Sequence, residues 1–389
     1  MEPPVSVDPA INTDPGFPPF STDRPVLFRE RHGWCPYSER VWITLELHDI
    51  AYDTIKIDNV GGPQPSYYSG QTPQMKWANG RQQGESMDLV TDLDERYKCG
   101  LRSTDKAVQE LVSAFRTIFP RARPSSRAAF LFQNNGEPLG KSTFEDTLAA
   151  TDALLSKTDG PFFAGGDQVT AADIAWCPFL ERYRYQLPCL HEGLDPDNAA
   201  LYPSLHAWYQ AMDQIPAYAC RVKGDASSWR KVLTMAGFGN SGLPPQIDQI
   251  MQDLREKEVA TAQACLLDQD VWGKYAASRE HVPATPAADA AGIVIRNRQA
   301  IVKDTLRRAT DRTWKETDLP RTAEEVDETL REMVDVLLND DYDLLTNASR
   351  RSVGSMAAFL DERMCVPRDM GVMSAAAIKV LAWKLQTYN

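Results

Sequence analysis

The residue best placed for nucleophilic chemistry is Cys35, in the run Trp-Cys-Pro-Tyr-Ser at residues 34–38. Pro36 favours the first turn of a helix, because its missing N–H would have no partner there in any residue. The backbone amides of Tyr37 and Ser38 would then point towards the Cys35 sulfur, and the positive end of the helix dipole favours a thiolate. The thiolate is the reactive form of cysteine. The sequence therefore predicts a catalytic cysteine at a helix N-terminus.

Ser38 stands where a dithiol motif would carry its second cysteine. The motif cannot close an internal disulfide, so the predicted chemistry is monothiol exchange through a mixed disulfide. Two alternatives remain open. Cys35 could be a buried filler at a turn, or the Ser38 hydroxyl, one helical turn further on, could activate the thiol of a bound ligand.

The elements around Cys35 predict an α/β domain. In order they are a strand at 25–31, a helix at 38–48, a strand at 51–57, an antiparallel hairpin of 74–78 and 81–83, and a helix at 86–97. The hairpin rests on Asn79-Gly80, a strong signal for a two-residue turn. Strands joined through a helix imply a right-handed crossover in one sheet. Residues 58–71 are predicted to be a long irregular connection.

Two further residue pairs predict a binding site beside Cys35. A cis bond between Thr72 and Pro73 would expose the Thr72 backbone to the backbone of a peptide ligand such as glutathione. At the start of the helix predicted at 86–97, Ser86 can hydrogen-bond to a carboxylate and Glu85 can accept a hydrogen bond from an ammonium group. Both charges occur on the γ-glutamyl end of glutathione. The alternatives are a trans proline at a strand start and a plain helix cap.

These three features, in this order and spacing, resemble the cysteine-type glutathione transferases, which include the omega, lambda, dehydroascorbate-reductase and iota classes. The resemblance implies a thioredoxin-like first domain, glutathione as co-substrate and Cys35 as the catalytic residue. It also implies that Thr72 and Pro73 contact the cysteinyl backbone of glutathione, and that Glu85 and Ser86 bind its γ-glutamyl group. The residues expected to contact glutathione are Pro36, Tyr37, Ser38, Thr72, Pro73, Glu85 and Ser86.

The chain beyond residue 104 is predicted to be helical. Its first part carries periodic apolar stretches at 104–118, 123–133, 142–157, 170–186, 203–214 and 217–223. Thr170 and Asp173 have the spacing of a reciprocal helix cap, which also occurs in the transferase family and has a structural role there. This part matches the all-α second domain that the resemblance implies.

A Gly- and Pro-rich linker at 236–245 separates a further helical segment, with amphipathic stretches at 246–259, 323–338, 352–364 and 373–386. The run Cys-Val-Pro-Arg-Asp-Met at 365–370 resembles the C-terminal extension of the iota class of photosynthetic organisms. That run could equally be a helix connector fixed by an Arg368–Asp369 pair. Ser38 departs from the iota pattern, which usually has a second cysteine there.

The predicted organisation is therefore a Pro-rich tail at 1–24, a thioredoxin-like glutathione-binding domain at 25–99, an all-α transferase domain at 104–238 and a helical iota-type extension at 245–389. The net charge of -12 disfavours nucleic-acid binding, which depends on basic residues that neutralise phosphates. No apolar run is long enough to cross a bilayer. The tail lacks the features of a secretory signal.

Seven scattered cysteines without a CxxC pair indicate a reducing compartment, so we expect the cytoplasm or the plastid stroma and no secretion. No Cys/His cluster has metal-ligand spacing, and no metal cofactor is expected. Aromatic residues of the helical domain, with Trp176, Tyr183 and Trp229 as the candidates, could line a pocket for the acceptor.

The leading functional interpretation is a glutathione-dependent thiol transferase or reductase. Its acceptor would be a small electrophilic, disulfide or aromatic compound, as in deglutathionylation or dehydroascorbate-type reduction. The alternative is a protein without turnover, which carries a ligand or pigment or docks a partner protein through 245–389.

Overall fold

The computed structural model describes residues 6–7, 23–59, 68, 70–120, 130–133, 137–234, 255–309 and 319–387. The chain divides into two compact units. The first comprises residues 1–218 and 222–251, and the second comprises residues 219–221 and 252–389. Among the described residues, no helix is long and apolar enough to cross a membrane.

The first unit begins with a five-stranded sheet in the order β1-β3-β2-β4-β5. Its strands are β1 (Ser6–Val7), β2 (Val26–Glu30), β3 (Asp53–Ile57), β4 (Gln74–Lys76) and β5 (Gln82–Gln83). β3 pairs in parallel with β1 and β2, whereas β4 pairs antiparallel with β2 and β5. The predicted thioredoxin-like order of strands is confirmed. One difference lies in the predicted tail, where Ser6–Val7 satisfies backbone groups at the edge of β3.

Two helices complete this α/β domain, α1 (Pro36–Leu47) and α2 (Ser86–Tyr97). α1 carries a proline in its first turn and buries apolar side chains nearly all round, including Val41, Trp42 and Leu45. A helix that is apolar on every side requires cover on every side. The sheet cannot cover all of it, so α1 also packs against α2 and a helix of the following domain.

The helices after this domain are α3 (Lys106–Ile118), α4 (Lys141–Leu155), α5 (Ala171–Leu190), α6 (Pro203–Asp213), a short π-helix (Tyr218–Val222) and α7 (Ala226–Thr234). The Thr170–Asp173 capping box at the start of α5 is present, as predicted. The helix predicted at 123–133 is wrong at its end, because Phe132 forms an isolated antiparallel bridge with Pro138. The Phe130 ring of this segment packs on Phe115 and Phe179 instead. Residues 123–129 lie outside the described residues, and α7 was not predicted.

The second unit contains α8 (Arg255–Leu267), α9 (Gln269–Ala277), α10 (Pro286–Arg296), α11 (Arg298–Ala309), α12 (Ala323–Asn339), a 3-10 turn (Tyr342–Leu344), α13 (Asn347–Arg363) and α14 (Val372–Thr387). Its main core lies between α10, α12, α13 and α14. The run at 365–370 connects α13 to α14. There Arg368 pairs with Asp369, whose carboxylate also accepts from the Cys365 amide at 2.9 Å, so the predicted local pair is present. The linker at 236–245 lies outside the described residues.

Candidate active site

The turn before α1 is shaped by the carboxylate of Glu30, at the end of β2. Its two oxygens accept the backbone N–H groups of His32 at 2.9 Å and Trp34 at 2.8 Å. Cys35 follows as the N-cap residue of α1, and its carbonyl accepts the Glu39 amide at 3.1 Å. A buried strand end thus fixes the turn, and the turn places the Cys35 sulfur at the positive end of the helix.

The Cys35 sulfur faces Thr72. The side chain of Cys35 is half-buried, and its Sγ lies 3.8 Å from both the carbonyl oxygen and the hydroxyl oxygen of Thr72. The Thr72–Pro73 peptide bond is cis, as the sequence predicted. The first two predicted features therefore meet at one point on the surface of the α/β domain.

The third predicted feature lies at the start of α2. Ser86 is nearly buried, and its hydroxyl oxygen accepts from Arg40 Nη1 at 3.3 Å. The Ser86 proton is therefore available to a carboxylate. Glu85 is exposed, accepts from Gln71 Nε2 at 3.1 Å and has φ of 61°, a left-handed conformation that is costly for a residue other than glycine. The exposed Glu85 and the buried Ser86 hydroxyl are therefore neighbours at the start of α2.

Arg40 links the site to the helical domain. Its guanidinium donates twice to the Ala175 carbonyl on α5, at 3.0 and 2.7 Å, and once to Ser86. Burial lowers the pKa of Arg40 to about 10, while the electrostatic effects of Tyr37 and Cys35 oppose that change. The group still carries its charge at neutral pH. A buried cation is thus held within electrostatic range of the Cys35 sulfur.

A cleft that is open to solvent lies beside the start of α1. Its lining is mostly aromatic and apolar and consists of Trp34, Pro36, Phe130, Leu131, Phe179, Arg182, Tyr183, Gln186, Trp229 and Val232. The candidates Tyr183 and Trp229 contribute to it. Trp176 does not, because it is fully buried and donates its Nε1–H to the Leu111 carbonyl at 3.1 Å.

Arg182, on α5, ties this cleft to the cysteine turn. It donates to the Trp34 carbonyl at 3.1 Å and to Glu39 Oε2 at 2.8 Å, and its guanidinium lies 4.1 Å from the centre of the Trp229 ring. Trp34 immediately precedes Cys35. The wall of the cleft and the backbone beside the sulfur are therefore held by the same side chain.

A buried ionisable cluster lies one turn further along α1. Potential ligand atoms of Glu39, Cys177 and Glu181 lie within 4.8 Å of one another. The Glu181 oxygens accept from Tyr218 Oη at 2.6 Å, from the Gly224 amide at 2.8 Å and from Trp229 Nε1 at 2.6 Å. With Arg182 on Glu39 Oε2, protein donors occupy three of the four carboxylate oxygens. Protein hydrogen bonds thus account for most of this cluster without an ion.

The protonation of this cluster follows from its burial. Burial raises the pKa of Glu39 to about 8; the guanidinium of Arg182 opposes the rise and Glu181 adds to it. The pKa of Glu181 is also raised by burial, and that of Cys177 is raised well above its ordinary value by burial and by both carboxyl groups. Glu39 Oε1 has no hydrogen-bond partner among the described residues, which suits a protonated carboxyl group.

The remaining predicted residues have separate positions. Pro36 lines the cleft, and the half-buried Tyr37 ring packs edge-on against Phe179 with centroids 5.8 Å apart. Ser38 is 2% exposed, and its hydroxyl has no partner among the described residues. Ser38 thus lies inside the domain rather than on its surface.

Sequence reasoning missed Arg40, Arg182 and Glu30. Arg40 had a usable signal, because it directly precedes the apolar stretch at 41–45 of α1, and a basic residue beside a buried helix face must find buried acceptors. Arg182 had none, since its contact with Trp34 spans 148 positions in the chain.

Two family models match the first unit. The model described as glutathione S-transferase, N-terminal domain, matches residues 33–101, and the model described as glutathione S-transferase, C-terminal domain, matches residues 106–211. The matched ranges contain Cys35, Thr72, Glu85, Ser86 and the Thr170–Asp173 capping box.

Curated relatives cover about half of this chain. Glutathione S-transferase L3 of Arabidopsis thaliana is 30% identical over 192 residues, which is 48% of this chain and 77% of the relative. Glutathione S-transferase DHAR2 of the same plant is 29% identical over 151 residues, 38% of this chain and 66% of the relative.

Solved structures with likeness to this chain include a glutathione transferase homologue from Drosophila mojavensis with bound glutathione. It shares 19% identity at a TM-score of 0.39 and covers 60% of this chain and 97% of its own. The dehydroascorbate reductase of Chlamydomonas reinhardtii shares 18% identity at a TM-score of 0.38, covering 61% of this chain and 99% of its own.

Proposed function

Because this chain belongs to the glutathione S-transferase family, we propose that it is a glutathione-dependent thiol transferase with Cys35 as its catalytic nucleophile. The observation that carries the proposal is the position of the sulfur. Cys35 caps the N-terminus of α1, is half-buried and lies 3.8 Å from the Thr72 hydroxyl. A hydroxyl-type transferase would need a serine or tyrosine there, and Ser38 lies buried one turn away.

Glutathione would bind along the three predicted features. The Thr72 backbone beside Pro73 would pair with the cysteinyl backbone of glutathione, and Pro36 and Tyr37 would flank its sulfur. Ser86, whose oxygen already accepts from Arg40, would donate to the γ-glutamyl carboxylate, and Glu85 would accept from the ammonium group. The buried charge of Arg40 supports this polarity, because Arg40 contacts Ser86 and would lie near the carboxylate end of the ligand.

The proposed reaction has two exchange steps. The Cys35 thiolate attacks the glutathionyl sulfur of a mixed disulfide R–S–SG; a Cys35–SG disulfide forms, the S–S bond between R–S and SG breaks, and the acceptor leaves as its thiolate R–S⁻. A second glutathione thiolate attacks the Cys35–SG disulfide, releases oxidised glutathione and restores the Cys35 thiolate. The acceptor is reduced by two electrons, and two glutathione molecules are joined in one disulfide.

The cleft supports a flat or aromatic acceptor. Its rings come from Trp34, Phe130, Phe179, Tyr183 and Trp229, which stand beside the cysteine turn. Deglutathionylation of small aromatic compounds therefore suits the site, and reduction of a dehydroascorbate-type oxidant is the second candidate reaction. A ligand carrier without turnover would use the same cleft and leave Cys35 idle.

The class and setting of the protein extend this proposal. The run at 365–370 is the basis for an iota-class assignment and a photosynthetic source, with 245–389 as the extension of that class. The domain limits 25–99 and 104–238 and a cytoplasmic or plastid compartment belong to the same proposal, as does a protein partner for 245–389.

The experiment that tests the function is turnover of hydroxyethyl disulfide with reduced glutathione. Cys35→Ala is expected to lower kcat/KM at least about a thousand-fold, because it removes the sulfur that forms the mixed disulfide in the proposed reaction. Cys99→Ala is the matched control, since Cys99 is also half-buried but burial raises its pKa to about 11. If Cys35→Ala kept the wild-type rate, the transferase proposal would fail; if wild type bound aromatic ligands without any turnover, the carrier would replace it.

A further inference from the structure

We propose that Asn59 and Tyr68 are positioning residues that orient the Thr72 hydroxyl as a hydrogen-bond donor to the Cys35 sulfur. This inference rests on the proposed function, because it assigns the group that supports the Cys35 thiolate. It makes Thr72 a catalytic residue through its side chain, in addition to the backbone role proposed above.

The contacts form one connected chain. Asn59, two residues after the end of β3, donates from Nδ2 to Thr72 Oγ1 at 2.9 Å. Tyr68 Oη lies 3.5 Å from Asn59 Oδ1, and Thr72 Oγ1 lies 3.8 Å from Cys35 Sγ. Three residues from the connection that follows β3 thus lead to the reactive sulfur.

The direction of each donor follows from the number of hydrogens. Tyr68 can donate its single O–H to the Asn59 carbonyl oxygen, which leaves the Asn59 amide hydrogens facing Thr72. The Thr72 oxygen then accepts from Asn59, so its own single hydrogen can be donated; the Cys35 sulfur and the Tyr68 hydroxyl oxygen both lie in range, and a thiolate is the stronger acceptor of the two. Donors that point the same way along a chain strengthen one another.

The two protonation states of Cys35 use different atoms of Thr72. A thiol can donate to the Thr72 carbonyl oxygen, and a thiolate can accept from the Thr72 hydroxyl, both at 3.8 Å. Loss of the proton therefore exchanges one hydrogen bond for another without moving either residue. The hydroxyl bond belongs to the thiolate alone, so its removal should penalise that state selectively.

The surrounding charges do not change in the decisive variants. Arg40, on α1, and Tyr68 both interact electrostatically with Cys35. Burial raises the pKa of Tyr68 to about 12, so its hydroxyl remains a protonated donor at neutral and mildly alkaline pH. The Tyr68 ring also stacks on Phe28, with centroids 6.4 Å apart, and that packing persists in Tyr68→Phe.

The test is the pH dependence of iodoacetamide alkylation of Cys35 in the full chain, without glutathione. Thr72→Val keeps the β-branched shape, and we expect its rate profile to move to higher pH with an about ten-fold slower rate at neutral pH. Thr72→Ser keeps the hydroxyl and should restore the wild-type profile. Thr261→Val, which removes a hydroxyl bonded to Lys257 O in α8, is the matched control.

Asn59→Ala should move the profile in the same direction by about two- to three-fold in rate, and Tyr68→Phe by less. In a Thr72→Val background, Asn59→Ala should have no further effect, because Asn59 acts through the hydroxyl. A structural role would give additive losses and no shift along the pH axis.

A Thr72→Val profile that coincides with wild type would overturn the inference, as would an Asn59→Ala effect that persists in the Thr72→Val background. Either result leaves the transferase proposal standing if Cys35→Ala still abolishes turnover. Conversely, a normal set of alkylation shifts in a protein that never turns over hydroxyethyl disulfide would contradict the transferase proposal and not this inference.

Discussion

Cys35 and Cys177 belong to the same unit and have opposite surroundings. Cys35 is half-buried at the N-terminus of α1, beside a hydroxyl donor and within electrostatic range of the Arg40 guanidinium. Cys177 is fully buried inside α5, where two carboxyl groups face it. The thiol of Cys35 therefore lies near cationic and hydrogen-bond donor groups, whereas the thiol of Cys177 lies near carboxyl groups.

This difference separates two regions to which α1 contributes: the surroundings of Cys35 and a buried cluster shared with α5. The N-terminus of α1 holds the half-buried Cys35 beside Thr72, whereas Glu39, in the first turn of α1, lies in the buried cluster with Cys177 and Glu181. Arg182 contacts both regions through the Trp34 carbonyl and Glu39. We call the cluster of Glu39, Cys177 and Glu181 the buried region, and the surroundings of Cys35 the reactive region. We infer that the buried region fixes the position of the reactive region and takes no part in the chemistry itself.

The largest expected effect separates the two cysteines directly. Iodoacetamide should alkylate Cys35 in the folded protein at least about a hundred-fold faster than Cys177, because the thiolate is the reactive form and Cys177 is a buried thiol. Mass spectrometry of peptides from timed samples measures both rates in one tube. Equal rates would remove the distinction on which the comparison rests. Cys177→Ala, with the Cys35 rate unchanged, is the control.

Much of the reactive region could be predicted from the sequence. Cys35-Pro36, Thr72-Pro73 and Glu85-Ser86 are local patterns, and the turn, the strand start and the helix start that they predict are all present. The positions of Asn59 and Tyr68 could not be predicted, because both lie in the irregular connection at 58–71. Such a segment has no periodicity from which to assign side-chain positions.

The buried region was not predictable in the same way. Glu39, Cys177 and Glu181 come from two helices more than a hundred residues apart, and the sequence does not state which acidic residues will meet. The prediction that Trp176 lines the acceptor pocket was wrong. Aromatic composition alone does not separate a cleft residue from a core residue, and Trp176 is core because its neighbours on α3 cover it.

Two substitutions, Ser86→Ala and Tyr218→Phe, test the comparison through effects of intermediate size on KM and on the unfolding temperature. Ser86→Ala should raise KM for glutathione about ten-fold, because it removes the proposed donor to the ligand carboxylate. Its effect on the unfolding temperature should be the smaller of the two, because Arg40 loses a 3.3 Å bond and keeps both of its bonds to the Ala175 carbonyl. Tyr218→Phe should do the reverse: it removes a 2.6 Å bond to buried Glu181, so the unfolding temperature falls and KM stays constant.

Steady-state kinetics and thermal unfolding on both variants provide the measurement, with the exposed helical Ser113→Ala as a control for Ser86→Ala. A large stability loss in Ser86→Ala, or a raised KM in Tyr218→Phe, would mean that the two regions do not have separate tasks.

The smallest expected effect is a change in how the free energy of unfolding depends on pH, through Glu39 of the buried cluster. The folded-state pKa of Glu39, about 8, exceeds its unfolded value of 4.5. Its contribution to stability is fully present below about pH 4.5 and is lost as pH rises through 8, at no more than about 1.4 kcal/mol per pH unit. Glu39→Gln should flatten this part of the curve and become more stable relative to wild type as pH rises.

Urea unfolding across that range measures the slope, with the exposed Glu95→Gln as control. Some slope of the same sign should persist in Glu39→Gln, because the pKa of Glu181 is also raised. A slope equal to that of wild type would show that Glu39 is ionised throughout and that its carboxylate is fully paired.

The most direct test of the central claim is peptide mass spectrometry of the folded protein after treatment with oxidised glutathione. We expect one glutathionyl group on the peptide that carries Cys35 and none on the peptide that carries Cys177, with removal of the group by reduced glutathione. An adduct that forms on another cysteine while Cys35 remains unmodified would contradict the assignment of Cys35 as the nucleophile.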